Sequence, residues 1–212
     1  MEIKKYTSGD FVTNTYVVTI NGKSIIIDPT LDFDEIAKDI KSKYNVVGIL
    51  ITHAHIDHID GLVFFQDKPV YMPRIEYDHI NDGGYTLYGY YMLKLPFDVS
   101  NLDIHLFDDN DIIDILDEPI KVVSTPGHTL GGVIFVMESE RCIFTGDTLF
   151  RGSIGRTDFK GGSEEEIFKS IIKIIDTFPE DYKLYPGHGD MTSIMIEKRY
   201  NPYYIEAQQR NK

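Results

Sequence analysis

The sequence predicts an α+β fold in which two β-sheets pack face to face and helices cover the outer faces. Two observations predict it. Apolar, β-branched segments of strand length recur along the chain, and helical periodicity appears only between or after groups of them. The resulting order is strands, helix, strand, a mixed middle, strands, helix, strand, helix. Each sheet must bury a face against another layer, and this order supplies two groups of strands with helices to flank them.

Length and composition agree. A chain of 212 residues can bury a full core, and one domain spanning 1–212 is the expectation. Hydrophobic residues make up 42% and charged residues 26%, an ordinary globular balance. No run approaches the roughly 18 apolar residues of a spanning helix, so no membrane partner is expected. The opening Met1-Glu2-Ile3-Lys4-Lys5 has no apolar run behind its lysines and does not read as a secretory signal. Cys142 is the only cysteine, which excludes an internal disulfide and a thiolate metal cluster. A cytoplasmic location follows as an expectation. The net charge of −13, with 21 basic against 34 acidic residues, argues against a nucleic-acid partner. Polyanion binding rests on Lys and Arg neutralising phosphates.

The elements can be taken in order. Residues 11–27 read as a hairpin: Phe11 to Val18 is β-branched and aromatic, Asn21-Gly22 tolerates the positive φ of a two-residue turn, and Ser24 to Ile27 returns as a buried strand. Asp28-Pro29 stops it. Residues 33–43 read as an amphipathic helix with Phe33, Ile36, Ala37 and Ile40 on one face. Val46 to Ile51 is a buried strand. Segments 120–124, 132–137 and 141–145 read as three more, with Glu138-Ser139-Glu140 turning between the last two. Ser163-Glu164-Glu165-Glu166 has the form of a capping box, in which the Ser side chain and the Glu three residues on satisfy each other's free N–H groups. The helix behind it carries Ile167, Ile171, Ile174 and Ile175 on one stripe and ends before Pro179. Tyr182 to Tyr185 is a last short strand, and a final helix covers about residues 192–199.

Chemistry concentrates at the strand ends. Of seven histidines, His53, His55 and His58 lie in one short segment, and His128 and His188 each sit in Pro-Gly-His. Val47–Ile51 leads to His53, Ile120–Ser124 to His128, Arg141–Thr145 to Gly146-Asp147, and Lys183–Tyr185 to His188. Rigid sheet ends hold ligands well. Imidazole with carboxylate suits zinc, iron or manganese. The candidate set is His53, His55, Asp57, His58, His128, Asp147 and His188, too many for one tetrahedral ion. It suits two divalent ions sharing a carboxylate, about 3.5–4 Å apart, with a hydroxide between them whose precursor water has its pKa lowered to about 7.

Thr52-His53-Ala54-His55-Ile56-Asp57-His58 resembles the His-x-His-x-Asp-His signature of the metallo-β-lactamase superfamily, and His128, Asp147 and His188 follow in that family's order. The resemblance covers nearly the whole chain. It implies an αββα four-layer sandwich of two mixed sheets, with the metals at one edge. It also implies that His53, His55 and His128 hold one ion, Asp57, His58 and His188 the other, and that Asp147 bridges. Zinc is the first expectation, with iron or manganese as alternatives.

A narrower resemblance is to the short, single-domain members of the glyoxalase II (hydroxyacylglutathione hydrolase) branch. It is carried by Gly146-Asp147-Thr148-Leu149-Phe150, Gly155-Arg156-Thr157-Asp158-Phe159, Gly161-Gly162-Ser163 and Asn201-Pro202-Tyr203. Only 24 residues follow His188, fewer than the helical region of full-length glyoxalase II. The branch implies a small acyl-thiol substrate such as S-D-lactoylglutathione. The bridging hydroxide would attack its thioester carbonyl, and Asp57 would serve as the catalytic residue by binding metal and orienting that hydroxide. A mononuclear iron persulfide dioxygenase is the rival, and a lactonase of the same superfamily another. The Asp147 carboxylate argues against a β-lactamase, and the short acidic chain against an RNA-processing nuclease. A non-catalytic metal-holding module is the remaining reading.

Other residues carry less specific expectations, and no substrate-binding residue is assigned. Arg156 and Asp158 suggest a salt bridge bracing the metal loop, with substrate contact as the alternative. Thr52 is either an orienting partner or an ordinary strand-end residue. Tyr85, Tyr88, Tyr90 and Tyr91 fit ordinary packing of the middle segment, with a substrate lid as the alternative. Cys142 fits inert core, and His79 and His105 fit the surface.

Overall fold

The computed structural model describes residues 1–210; Asn211 and Lys212, the last two of the expected 1–212 unit, lie outside the described residues. The N-terminal half builds one sheet from β1 (Glu2–Ser8), β2 (Thr13–Ile20), β3 (Lys23–Ile27), β4 (Val46–Leu50), β5 (Pro69–Pro73) and β6 (Asp103–Phe107), side by side in chain order. The first two pairings are antiparallel, and from β3 onward the strands are parallel. Helices α1 (Asp34–Lys43), α2 (Ile56–Ile59) and α3 (Arg74–His79) lie between these strands in sequence.

The second sheet uses β7 (Ile112–Asp114), β8 (Pro119–Ser124), β9 (Val133–Met137), β10 (Cys142–Gly146), β13 (Lys183–Pro186) and β14 (Thr192–Ser193). Its spatial order is β14-β13-β10-β9-β8-β7, and only β10 and β13 pair in parallel. Between β10 and β13 the chain makes a small ribbon, β11 (Leu149–Phe150) with β12 (Ser153–Ile154), and then helix α4 (Glu164–Thr177). It ends in α5 (Ile194–Tyr200) and α6 (Pro202–Arg210).

The layers follow from the two-residue period of strand side chains. Tyr16, Val18, Ile25, Ile27 and Leu50 point inward and meet Val122, Phe135, Met137 and Phe144 of the other sheet. Their neighbours Val17, Ile26 and Ile49 point outward beneath Phe33, Ala37 and Ile40 around α1. Val123, Ile134, Val136, Ile143 and Leu184 point outward beneath Ile167, Ile171, Ile174 and Ile175 of α4. Both faces of each sheet are therefore covered, which is why the strands read as continuous apolar runs rather than alternating ones. The result is an αββα sandwich of two mixed sheets, as expected.

Local detail agrees in most places. Asn21 and Gly22 adopt φ of +51° and +78°, and Ile20 pairs with Lys23 across them. The strand before that turn begins at Thr13 rather than Phe11, because residues 9–12 form a turn of their own. Ser163 caps α4 by accepting from Glu166 N–H at 3.3 Å, but only half of the capping box forms. Ser163 N–H donates to the Gly127 carbonyl at 2.8 Å, and the Glu166 carboxylate turns to Lys169 at 2.8 Å.

The C-terminus holds two helices where one was expected. Thr192-Ser193 extends the second sheet, Ser193 caps α5, and Asn201 ends it. Asn201 Oδ1 then accepts from Tyr203 N–H and Tyr204 N–H at 3.0 and 3.3 Å, opening α6 with Pro202 in its first turn. Among the described residues no helix is long and apolar enough to cross a membrane.

Candidate metal centre

All seven residues singled out in the sequence converge at one end of the sandwich, in turns that leave the C-terminal ends of β4, β8, β10 and β13. After β4 the chain runs extended through His53 to His55, and α2 then presents Asp57 and His58 from one short turn. His128 follows β8, Asp147 follows β10, and His188 follows β13. His53, His55, Asp57, His58, His128 and Asp147 are buried, and His188 is half-buried.

Close approach is built into the backbone. A Cβ on Gly187 would collide with Asp147 Oδ1 and come within 2.8 Å of His58 Cε1. Glycine is thus required where the His188 turn passes the other two. Side chains of β2 stitch this turn across to the first sheet. Asn14 Nδ2 donates to the carbonyls of Pro186 and Gly189 at 3.0 and 2.8 Å, and Tyr16 O–H donates to Pro186 O at 2.7 Å.

Four of the five imidazoles, those of His53, His58, His128 and His188, are aimed by Nδ1. His128 Nδ1 donates to the Arg156 carbonyl at 2.7 Å and His188 Nδ1 to the Phe11 carbonyl at 3.0 Å. His58 Nδ1 meets Asp28 Oδ2 at 2.9 Å. His53 Nδ1 meets Thr52 Oγ1 at 3.1 Å, while that hydroxyl donates to Asp28 Oδ2 at 2.7 Å. A carbonyl or carboxylate can only accept, so Nδ1 carries the proton on His58, His128 and His188. The Thr52 hydroxyl, its own proton spent on Asp28, makes the same tautomer consistent for His53. On these four rings Nε2 is the atom that faces into the cluster, left for another partner.

Those Nε2 atoms test the fit of a metal. Nε2 of His53, His55, His58 and His128, together with Asp147 Oδ1, is buried without a hydrogen-bond partner. Buried polar atoms are rarely left so, and five at one point need an explanation. Three overlapping groups could hold an ion, with one ligand atom per residue and all within 4.8 Å of one another: His53/His55/His128, His53/His58/Asp147 and Asp57/His58/His188. Asp147 lies between the outer two, its Oδ1 3.4 Å from His58 Nε2 and its Oδ2 3.5 Å from His128 Nε2 and 3.2 Å from His188 Nε2. Nitrogen and carboxylate donors in these numbers fit divalent transition ions.

The electrostatics divide the cluster. Burial and the surrounding imidazoles hold His53 and His55 well below the ordinary histidine range, so both stay neutral. Burial also pushes His58 and His188 down, but the carboxylates of Asp147 and Asp57 overcome it. His58 is held well above its ordinary value, and His188 rises to about 10. Burial would raise Asp57 and Asp147, yet the neighbouring His58 and His188 lower Asp57 to about 2 and Asp147 well below the carboxylate range.

A model of the metallo-beta-lactamase superfamily matches residues 8–188. The chain belongs to the metallo-β-lactamase superfamily. It is 33% identical to a probable metallo-hydrolase of Streptococcus pyogenes, over 90% of this chain and 85% of that one. It is 31% identical to the hydroxyacylglutathione hydrolase GloC of Haemophilus influenzae, over 84% of this chain and 85% of that one. Among solved structures, the BLEG-1 B3 metallo-beta-lactamase superposes with a TM-score of 0.88 at 31% identity, covering 96% of this chain and 99% of that one. TTHA1623 in a di-iron-bound form gives 0.82 at 28% identity, covering 94% and 99%.

Within this superfamily chain, several site residues escaped the sequence reading. Asp28, expected only as a strand stop, is buried and accepts from Thr52 N–H at 2.8 Å, Thr52 O–H and His58 Nδ1. A carboxylate closing the apolar run Ser24–Ile27 was the available signal. Thr13 O–H donates to Asp57 Oδ2 at 2.7 Å. Glu76, with no motif around it, is fully buried and bonds the backbone beside His53 and His55 and the backbone just beyond His128.

Arg156 and Asp158 form the expected bridge, at 2.6 Å for both contacts, on an exposed loop whose Arg156 carbonyl anchors His128. Thr52 is an orienting partner. The tyrosines divide. Tyr85 and Tyr88 are buried and donate to Glu76 and Asp60 at 2.6 and 2.8 Å. Tyr90 and Tyr91 are exposed. Cys142 is buried in β10 between the sheets, where burial pushes its thiol up to about 12. His105 is exposed as expected, whereas His79 is half-buried, its ring tilted against Tyr85 at 4.7 Å.

Proposed function

We propose that the chain is a dinuclear metal-dependent thioesterase of the glyoxalase II type, acting on S-acyl thiols such as S-D-lactoylglutathione. The observation that carries this reading is the set of buried, partnerless Nε2 atoms on both sides of Asp147. The 31% identity to GloC supports the substrate class. In this reading His53, His55 and His128 would hold one ion, Asp57, His58 and His188 the other, and Asp147 would be shared. When bound, such an ion pair supplies Lewis acidity and an acidified water, the chemistry that thioester hydrolysis needs at neutral pH.

The protein's own residues do the positioning. Thr13 O–H occupies Asp57 Oδ2 and fixes the carboxylate plane. Held near a pKa of about 2, Asp57 is an ionised acceptor and a weak base. It therefore orients an attacking water rather than storing its proton. The Nδ1 contacts to Asp28, Thr52, Arg156 and Phe11 keep the rings from turning.

An aromatic arc borders the site and offers a surface to the acyl-thiol. Phe11, whose carbonyl anchors His188, meets Tyr91 at 5.2 Å. Tyr91 meets Tyr90 at 5.1 Å, Tyr90 meets Phe159 at 5.6 Å, and Phe159 meets His55 at 6.1 Å. The arc thus runs from one end of the ligand set to the other. Tyr90 is 66% exposed, a large aromatic surface that a bound substrate would cover.

The test is steady-state hydrolysis on a panel of S-D-lactoylglutathione, other acyl thiols, an acyl lactone and a β-lactam. The β-lactam is included because of the likeness to BLEG-1. Thioester turnover that disappears on chelation and returns with metal is expected. Turnover of the lactone or lactam alone would replace the thioesterase reading. Oxygen uptake with a persulfide in an iron-loaded protein would replace it with the dioxygenase.

A further inference from the structure

Glu76 is fully buried at the start of α3, and its carboxylate is met by hydrogen-bond donors rather than by a cation. Oε2 accepts from Ala54 N–H at 2.7 Å. Oε1 accepts from Gly131 N–H at 2.9 Å and from Tyr85 O–H at 2.6 Å. The Tyr85 oxygen in turn accepts from Leu130 N–H at 3.1 Å. Ala54 lies between His53 and His55, and Leu130-Gly131 lie just beyond His128. One side chain therefore bonds both backbone segments that supply the three-histidine set.

The choice of a carboxylate is informative. Burying an ionised group is unfavourable unless every oxygen is well bonded. A glutamine of the same shape would bring one acceptor and an NH2 group. Its NH2 would face either Ala54 N–H or Gly131 N–H, leaving one loop without an acceptor. Only two acceptor oxygens serve both loops. The other set has braces that do not involve Glu76: Asp28, which also reaches His53 through Thr52, holds His58, Thr13 holds Asp57, and the Phe11 carbonyl holds His188.

We propose that Glu76 is a positioning residue for one half of the metal centre, fixing His53 and His55 against His128 and thereby setting the metal affinity of that half alone. The inference rests on the ligand sets assigned above.

A second buried glutamate provides the control. Glu197 is equally buried and accepts from Gly152 N–H, Thr192 O–H and Asn201 Nδ2 at 2.8, 2.5 and 2.9 Å, none of them beside a ligand histidine. The experiment is a cobalt(II) titration of metal-free wild type, Glu76→Gln, Tyr85→Phe and Glu197→Gln, followed by d–d absorption against a competing chelator. Melting temperatures are measured in parallel. Wild type is expected to show two sites.

Glu76→Gln should weaken one of them by about 10- to 100-fold and leave the other unmoved, the usual size for partners that orient a ligand. Tyr85→Phe, which keeps the two Glu76 bonds to Ala54 N–H and Gly131 N–H but loses the Tyr85 contact to Leu130 N–H, should weaken the same site by less. It decides the matter if Glu76→Gln does not fold. Glu197→Gln should lower the melting temperature with both affinities intact. The proposal is overturned if Glu76→Gln or, failing that, Tyr85→Phe leaves both sites at wild-type affinity, or if Glu197→Gln weakens the same site equally. Wild type without two sites would overturn the ligand assignment itself, and this inference with it.

Discussion

Asp28 Oδ2 lies 2.9 Å from His58 Nδ1, and through this contact a buried carboxylate on the end of β3 aims the opposite ring nitrogen at Asp147. The same carboxylate holds the backbone and hydroxyl of Thr52, the residue before His53. Asp28→Asn exchanges one acceptor for a donor that faces either Thr52 N–H or both His58 Nδ1–H and the Thr52 hydroxyl. Metal affinity should fall by about 10- to 100-fold. Titration against a chromophoric chelator measures it, and wild-type affinity in the variant would show that His58 is aimed by something else.

Asp57 is ionised and pinned by Thr13, and in the proposed thioesterase it serves the reaction more than substrate binding. Asp57→Ala should lower kcat by about 100-fold or more, the scale of misplacing a reacting group, with KM changing far less. Steady-state kinetics on metal-reconstituted protein decides it. A variant with wild-type kcat would remove Asp57 from the mechanism.

The aromatic arc should act in the opposite sense. Tyr90 and Tyr91 touch no ligand histidine directly, so their loss should weaken binding without altering chemistry. Tyr90→Ala and Tyr91→Ala should each raise KM by roughly 2- to 10-fold, as expected for about 0.5–1.5 kcal/mol of aromatic contact, with kcat nearly intact. Unchanged KM in both would mean that substrate enters elsewhere.

Proton linkage should separate the metal-free from the loaded protein. The folded-state pKa values of His58 and His188 are raised above the ordinary 6.5, His188 to about 10. A raised value stabilises the fold fully below 6.5, and the effect is lost as pH climbs through the folded value. The chelated protein should therefore lose melting temperature from pH 6.5 to roughly pH 9, below the Tyr and Lys range. Metal binding needs deprotonated imidazoles, so the stabilisation added by zinc should grow over the same interval. Melting curves with and without chelator test both signs. A chelated protein whose melting temperature rises with pH would contradict the charge assignment.

The parts of the centre that are legible in the sequence are local ones. His53, His55, Asp57 and His58 share one short segment, and His128, Asp147 and His188 each stand just beyond an apolar strand with glycine before them. The Asn21-Gly22 turn and the α4 stripe are legible for the same reason. The parts that are not legible depend on distant partners. Thr13, Asp28 and Glu76 act on residues 22 to 55 positions away, and nothing beside them in the chain announces it. β1 escapes notice because it is an edge strand: Glu2–Ser8 has no fully buried residue, and its pairing with β2 supplies what periodicity does not show. The division of the tyrosines is likewise set by Asp60 and Glu76 from other elements.

The central claim is that two ions share this centre, with Asp147 between them. Anomalous diffraction from metal-loaded crystals tests it most directly. Two peaks about 3.5–4 Å apart are expected, one against Nε2 of His53, His55 and His128 and one against Asp57, His58 and His188, with Asp147 touching both. A single peak, or a pair that leaves either histidine set without an ion, would contradict the account.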